Sequence, residues 1–145
     1  MVGRVVRVPA LPTSVRIGGA VLVAAVICYY SLFDTPGGGG PVPMGPFGLV
    51  HADKWLHALG YGALAGALGY ASLRVDGRTL AVTFLLAAGY GVTIELLQAP
   101  LPERAFSFAD MGANVLGAFL GLVVWRLLVD LGLVAREGRS VPERT

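Results

Sequence analysis

The chain has 145 residues, of which 55% are apolar and 14% charged, with 21 glycines, a single cysteine and a formal net charge of +2. A water-soluble domain carries about 25% charged residues, so this composition excludes an ordinary soluble fold. The length argues for one domain, Cys28 has no partner for an internal disulfide, and the small net charge points to no nucleic-acid partner.

Four nearly charge-free stretches follow one another: Ile17–Phe33, Trp55–Leu73, Leu80–Ala99 (interrupted by Glu95) and Met111–Val129. Each approaches the roughly 20 apolar residues that carry a helix across the hydrocarbon core. None shows the polar stripe of a helix that lies in water. The expected fold is therefore all-α, a polytopic membrane protein with a bundle of four transmembrane helices at about residues 15–34, 53–73, 79–99 and 108–130. Residues 1–135 form the single domain, and the polar tail 136–145 is expected to be disordered and cytoplasmic. Arg4, Arg7 and Arg16 precede the first stretch as in a secretory signal, but no small-residue cleavage site follows it, so it reads as a retained helix.

Between these segments, residues 34–52 form the longest loop, rich in Gly and Pro, and Asp76-Gly77 marks a tight turn within Arg74–Arg78. Pro100–Ser107 is a short loop on the side of the first one. Nine of the 11 Lys and Arg residues fall on the side of the termini, leaving only Lys54 and Arg104 opposite. Short basic loops stay in the cytoplasm, so the expected localisation is a multi-pass cell-membrane protein with both termini cytoplasmic. Gly62-x-x-x-Gly66 and Gly117-x-x-x-Gly121 read as sites where helices of one chain approach closely. Tyr29, Tyr30, Trp55 and Trp125 read as interfacial anchors.

The remaining polar residues fall at the outer end. Asp53, Lys54 and His57 open the second helix, Glu95 and Gln98 close the third, Arg104 lies in the next loop, and Asp110 and Asn114 open the fourth. Spacings of three and four place Asp53 with His57, Glu95 with Gln98, and Asp110 with Asn114 on shared helical faces. Simpler roles exist for several of them. Asp53 and Asp110 suit helix caps, Ser107-x-x-Asp110 having a capping-box spacing, Lys54 can snorkel to water, and the amides can tie helices together. Glu95 resists such a reading, because a carboxylate about 6 Å inside a membrane helix costs on the order of 2–3 kcal/mol unless partnered. Arg104 is its expected ion-pair partner.

In this order and on these helices, Asp53-Lys54-x-x-His57, Glu95-x-x-Gln98, Arg104 and Asp110-x-x-x-Asn114-x-x-Gly117-x-x-x-Gly121 resemble the VanZ-like family over about residues 15–130. That family of small integral membrane proteins is named for an association with resistance to the glycopeptide teicoplanin. The resemblance implies a cell-envelope role for the four-helix domain, with an effect on glycopeptide resistance as one outcome.

Two functions compete. In the first, the site acts on an anionic lipid head group or cell-wall precursor by phosphoryl or acyl transfer or hydrolysis. His57, Glu95, Asp53 and Asp110 are then the catalytic candidates, with His57 as base or nucleophile. Lys54, Arg104, Gln98 and Asn114 are the substrate-binding candidates, Arg104 offering a planar fork to phosphate. In the second, the chain is a non-catalytic accessory or binding protein whose polar cluster is structural. No cofactor or metal is expected: His57, Glu95 and Asp110 are possible ligands, but they match no recognised metal-binding spacing. Membrane lipid is the expected partner, and the sequence leaves the oligomeric state open.

Overall fold

The structure is a computed structural model and describes residues 8–33, 41–101 and 107–134. Among these residues the chain forms four α-helices: α1 (Thr13–Leu32), α2 (Ala52–Ser72), α3 (Gly77–Gln98) and α4 (Phe108–Asp130). A single 3-10 turn at Pro46–Gly48 and two isolated bridges, Val8 to Val134 and Met44 to His51, complete the ordered backbone.

α1, α3 and α4 are long and apolar enough to cross a membrane. Their outward surfaces carry large apolar residues such as Val21, Leu22, Leu85, Leu116 and Phe119, all exposed. In water such a surface would be an aggregation site, whereas lipid accepts it. The interior mixes apolar side chains such as Leu64, Ile94 and Leu122 with small and polar residues: Ala65, Ala87, Ala118, Asn114 and Glu95 are buried. α2 is long enough to span, with 21 residues at a rise of about 1.5 Å each, but it falls outside that apolar set. The expectation of four spans is thus met for three helices. Glycines together with Asp53, Lys54 and His57 dilute the apolarity of α2, and its position explains why this is tolerated. It packs against α1, α3 and α4, most extensively against α4.

The α2–α4 crossing depends on missing side chains. A Cβ on Gly117 would overlap the Ala58 carbonyl, and one on Gly121 would overlap that of Gly62. The complementary pair on α2 is therefore Ala58 and Gly62. Gly66 has nothing within 4 Å of a built Cβ, so the expected Gly62–Gly66 pair is not the one used.

At the end of the bundle where α1 begins and α4 ends, Val8 N–H donates to the Leu133 carbonyl at 2.8 Å. Arg16 is nearly buried rather than a free basic flank. Its guanidinium donates to the carbonyls of Tyr70 (3.2 Å) and Ala71 (2.7 Å), covering the last turn of α2. A cation there also meets the negative end of the helix dipole. Trp125, expected as an interfacial anchor, is also buried. It packs on Gly69, where a Cβ would come within 2.7 Å of the ring, and its indole N–H donates to the Arg74 carbonyl at 3.2 Å.

Asp76 caps α3, accepting from Thr79 N–H at 3.1 Å and Thr79 Oγ1 at 2.8 Å. Those Thr79 bonds, aided by Arg74, hold its carboxyl down at about 2, from an ordinary value of 3.8. A carboxylate lowered on folding stabilises the fold above its unfolded value and ceases to do so as pH falls through the folded one. Asp76→Ala should accordingly lower the unfolding temperature slightly at neutral pH, with the difference from the parent vanishing as the pH approaches 2. A difference that persists unchanged at that pH would count against the cap.

Candidate functional site

The opposite end of the bundle brings together the N-termini of α2 and α4 and the C-terminus of α3. Lys54, in the first turn of α2, is held at 2.5 Å by Asp53 and is also paired with Asp110 in the first turn of α4. The ammonium thus bridges two carboxylates across the helix pair. Neither Asp53 nor Asp110 acts as the cap residue. α2 starts after His51, which makes no side-chain cap bond, and α4 is capped by Ser107, whose hydroxyl accepts from Asp110 N–H at 3.2 Å. Half of the expected capping box is therefore present, with the Asp110 carboxylate directed to Lys54.

One turn deeper, His57 Nδ1 donates to Asn114 Oδ1 at 2.9 Å, joining α2 to α4. An amide oxygen only accepts, so Nδ1 carries the hydrogen of this bond. From α3, Glu95 enters the same space and is 1% exposed. A His57 ring nitrogen, a Glu95 oxygen and an Asp110 oxygen all lie within 4.8 Å of one another. Glu95 Oε1, Asp53 Oδ1 and Asn114 Nδ2 are buried without a hydrogen-bond partner.

Asp53, Lys54, His57, Glu95, Asp110 and Asn114 are thus brought together. Gln98 is buried but turns to α1, where Nε2 donates to the Ser31 carbonyl at 2.7 Å. Arg104, and with it the expected ion pair to Glu95, lies outside the described residues.

Two residues beside the site carry no polar-motif signal. Tyr61 is fully buried, its ring nearly parallel to that of His57 with centroids 6.5 Å apart, and its hydroxyl has no hydrogen-bond partner. Gly91 of α3 lies against Tyr61 and Asn114, where a Cβ would come within 3.0 and 3.1 Å. Only the spacing of four between His57 and Tyr61 offered a clue, and a tyrosine in an apolar helix does not stand out. Gly91→Ala should press on both neighbours and disturb the His57–Asn114 pair, read as a shifted His57 ring resonance in NMR. An unchanged resonance would show that the site does not depend on this close approach.

These observations define the class: a helical membrane protein with a partly buried polar cluster at one end of its bundle. The chain belongs to the VanZ/LLP1 family, whose sequence model matches residues 20–129. The match includes every residue of the cluster and agrees with the motif resemblance. No curated protein and no solved structure matches the chain.

Proposed function

We propose that the chain spans the membrane four times with both ends in the cytoplasm, and that its polar cluster faces outward to receive the head group of a membrane lipid or lipid-linked cell-wall precursor. The basic-residue asymmetry supports the orientation. The length of α2, with its place against all the other helices, supports the fourth span. The observation that carries the site is the convergence of His57, Glu95 and Asp110 from three different helices within 4.8 Å. Ionisable groups inside a membrane domain are costly, and function is the usual reason for retaining them.

In this reading His57 Nε2 accepts a proton from the attacking group, with Asn114 orienting its ring. Glu95 and Asp110 stabilise the imidazolium that forms on His57, and Arg104 binds phosphate. Lys54 contributes less to anion binding than its charge suggests, because two carboxylates already engage it.

Those same pairings favour a second reading. Asp53, Lys54 and Asp110 neutralise one another in part, and His57 is bonded to Asn114. A cluster tied in this way suits a non-catalytic accessory protein. The two readings separate with purified protein and a panel of phospholipids and lipid-linked precursors. His57→Ala should abolish turnover and spare lipid binding if the site is catalytic. If instead the parent turns nothing over, and His57→Ala changes only affinity, the catalytic reading fails. A change in glycopeptide susceptibility that Arg104→Ala removes is the corresponding result in cells.

A further inference from the structure

Among the described residues, three carboxylates, Asp53, Glu95 and Asp110, gather around one ammonium, Lys54, and one imidazole, His57. Glu95 is 1% exposed; the Ser107 backbone N–H supports its carboxylate, but Oε1 is buried with no hydrogen-bond partner. A buried carboxylate oxygen without a donor is expensive. Asp110 and His57 supply further ligating atoms within 4.8 Å.

We propose that His57, Glu95 and Asp110 bind a divalent transition-metal cation. The donor set is one imidazole nitrogen and two carboxylates, which suits Zn2+ or Mn2+. Three protein ligands with an open fourth position are the usual arrangement of a catalytic zinc. Bonds of about 2.0–2.2 Å to the metal place ligand atoms roughly 3.5 Å apart, so closing on the ion requires side-chain shifts of about 1 Å. His57 is already prepared as a ligand. Its Nδ1 is hydrogen-bonded to Asn114 Oδ1, which orients the ring, and the metal would take Nε2, as an imidazole oriented in this way does in metal sites generally. A divalent cation would offset the Glu95 and Asp110 carboxylates and satisfy the Glu95 oxygen. It would also give the head-group site a positive centre that Lys54, held by Asp53 and Asp110, does not provide. The cation site goes beyond the head-group reading and is tested without any lipid substrate.

The experiment uses the full chain in nanodiscs of zwitterionic lipid, stripped with chelator, then titrated with Zn2+ by calorimetry and with Co2+ by visible absorption. One cation should bind per chain, at micromolar concentration or below. The Co2+ band should show low-coordinate geometry and disappear on adding Zn2+. Glu95→Gln keeps the side-chain shape and removes the charge. It should weaken binding at least about tenfold, and Asn114→Ala should weaken it by about the same factor through the His57 orientation. Asp76→Asn, at the start of α3 and the opposite end of the bundle, should leave it unchanged. A parent protein that binds neither Zn2+, Co2+ nor Mn2+ below millimolar concentration overturns the proposal. So does a stoichiometric site that Glu95→Gln leaves intact while the variant remains folded. Neither result would touch the head-group reading, which fails only on loss of lipid binding or turnover.

Discussion

Gly117→Val should separate α2 from α4 and destabilise the bundle by about 3 kcal/mol or more, at the upper end of what overpacking costs. The added atoms would meet the backbone of Ala58, not a side chain that could turn away. Both helices would have to move apart along their most extensive contact. In lipid there is little hydrophobic drive to restore that contact, because helix association rests on close packing. The cluster should be lost as well, since His57 and Asn114 sit one residue before Ala58 and three before Gly117 on the two facing helices. Gly66→Ala is the matched control. Its Cβ meets nothing, and alanine is favoured over glycine in a helix by about 0.5–1 kcal/mol, so this variant should be as stable as the parent or more so. Denaturation in mixed detergent micelles would rank the three proteins. Equal sensitivity of Gly66→Ala and Gly117→Val would refute the assigned crossing.

The second large effect is expected at Lys54. Lys54→Met keeps the apolar stem and leaves Asp53 and Asp110 facing each other with no cation between them. Removing one partner of a buried ion pair is strongly destabilising, and with these groups partly exposed the loss should be about 2–3 kcal/mol. Adding Asp110→Asn should recover roughly half of it, because one of the two unpaired charges is gone. The Lys54→Met variant should also bind Zn2+ more tightly, since the competing ammonium has left Asp110, so its lost stability should return on adding the ion. Unaltered stability of Lys54→Met would mean that the ammonium bridges nothing of consequence.

Both effects were only half legible from residues. The spacing of Gly117 and Gly121 indicated a close helix contact, and that contact exists. Gly62 takes part in it, but its companion on α2 is Ala58 and not the Gly66 of its motif. A small-residue motif states that a backbone can be approached but carries no information about the rotation of the facing helix. Lys54 was recognised as one of two basic residues at its end of the bundle. Its commitment to Asp53 and Asp110 arises from a neighbour in sequence and a carboxylate 56 positions away.

The positions of the four helices, their ends to within a few residues, the end of the bundle that carries the polar residues and the family were all readable in the chain itself. Apolar length, cap residues and side-chain periodicity are local properties, and solvent or lipid reads them segment by segment. The interior was not readable in this way. Trp125 turns inward onto Gly69, Arg16 covers the end of α2, and Gln98 bonds to α1 instead of facing the cluster. Asn114 bonds the ring of His57, and Glu95 keeps an oxygen without a hydrogen-bond partner. Each of these depends on how far two helices are rotated and how closely they cross. That geometry is set by packing summed over several helices at once, so no single segment encodes it.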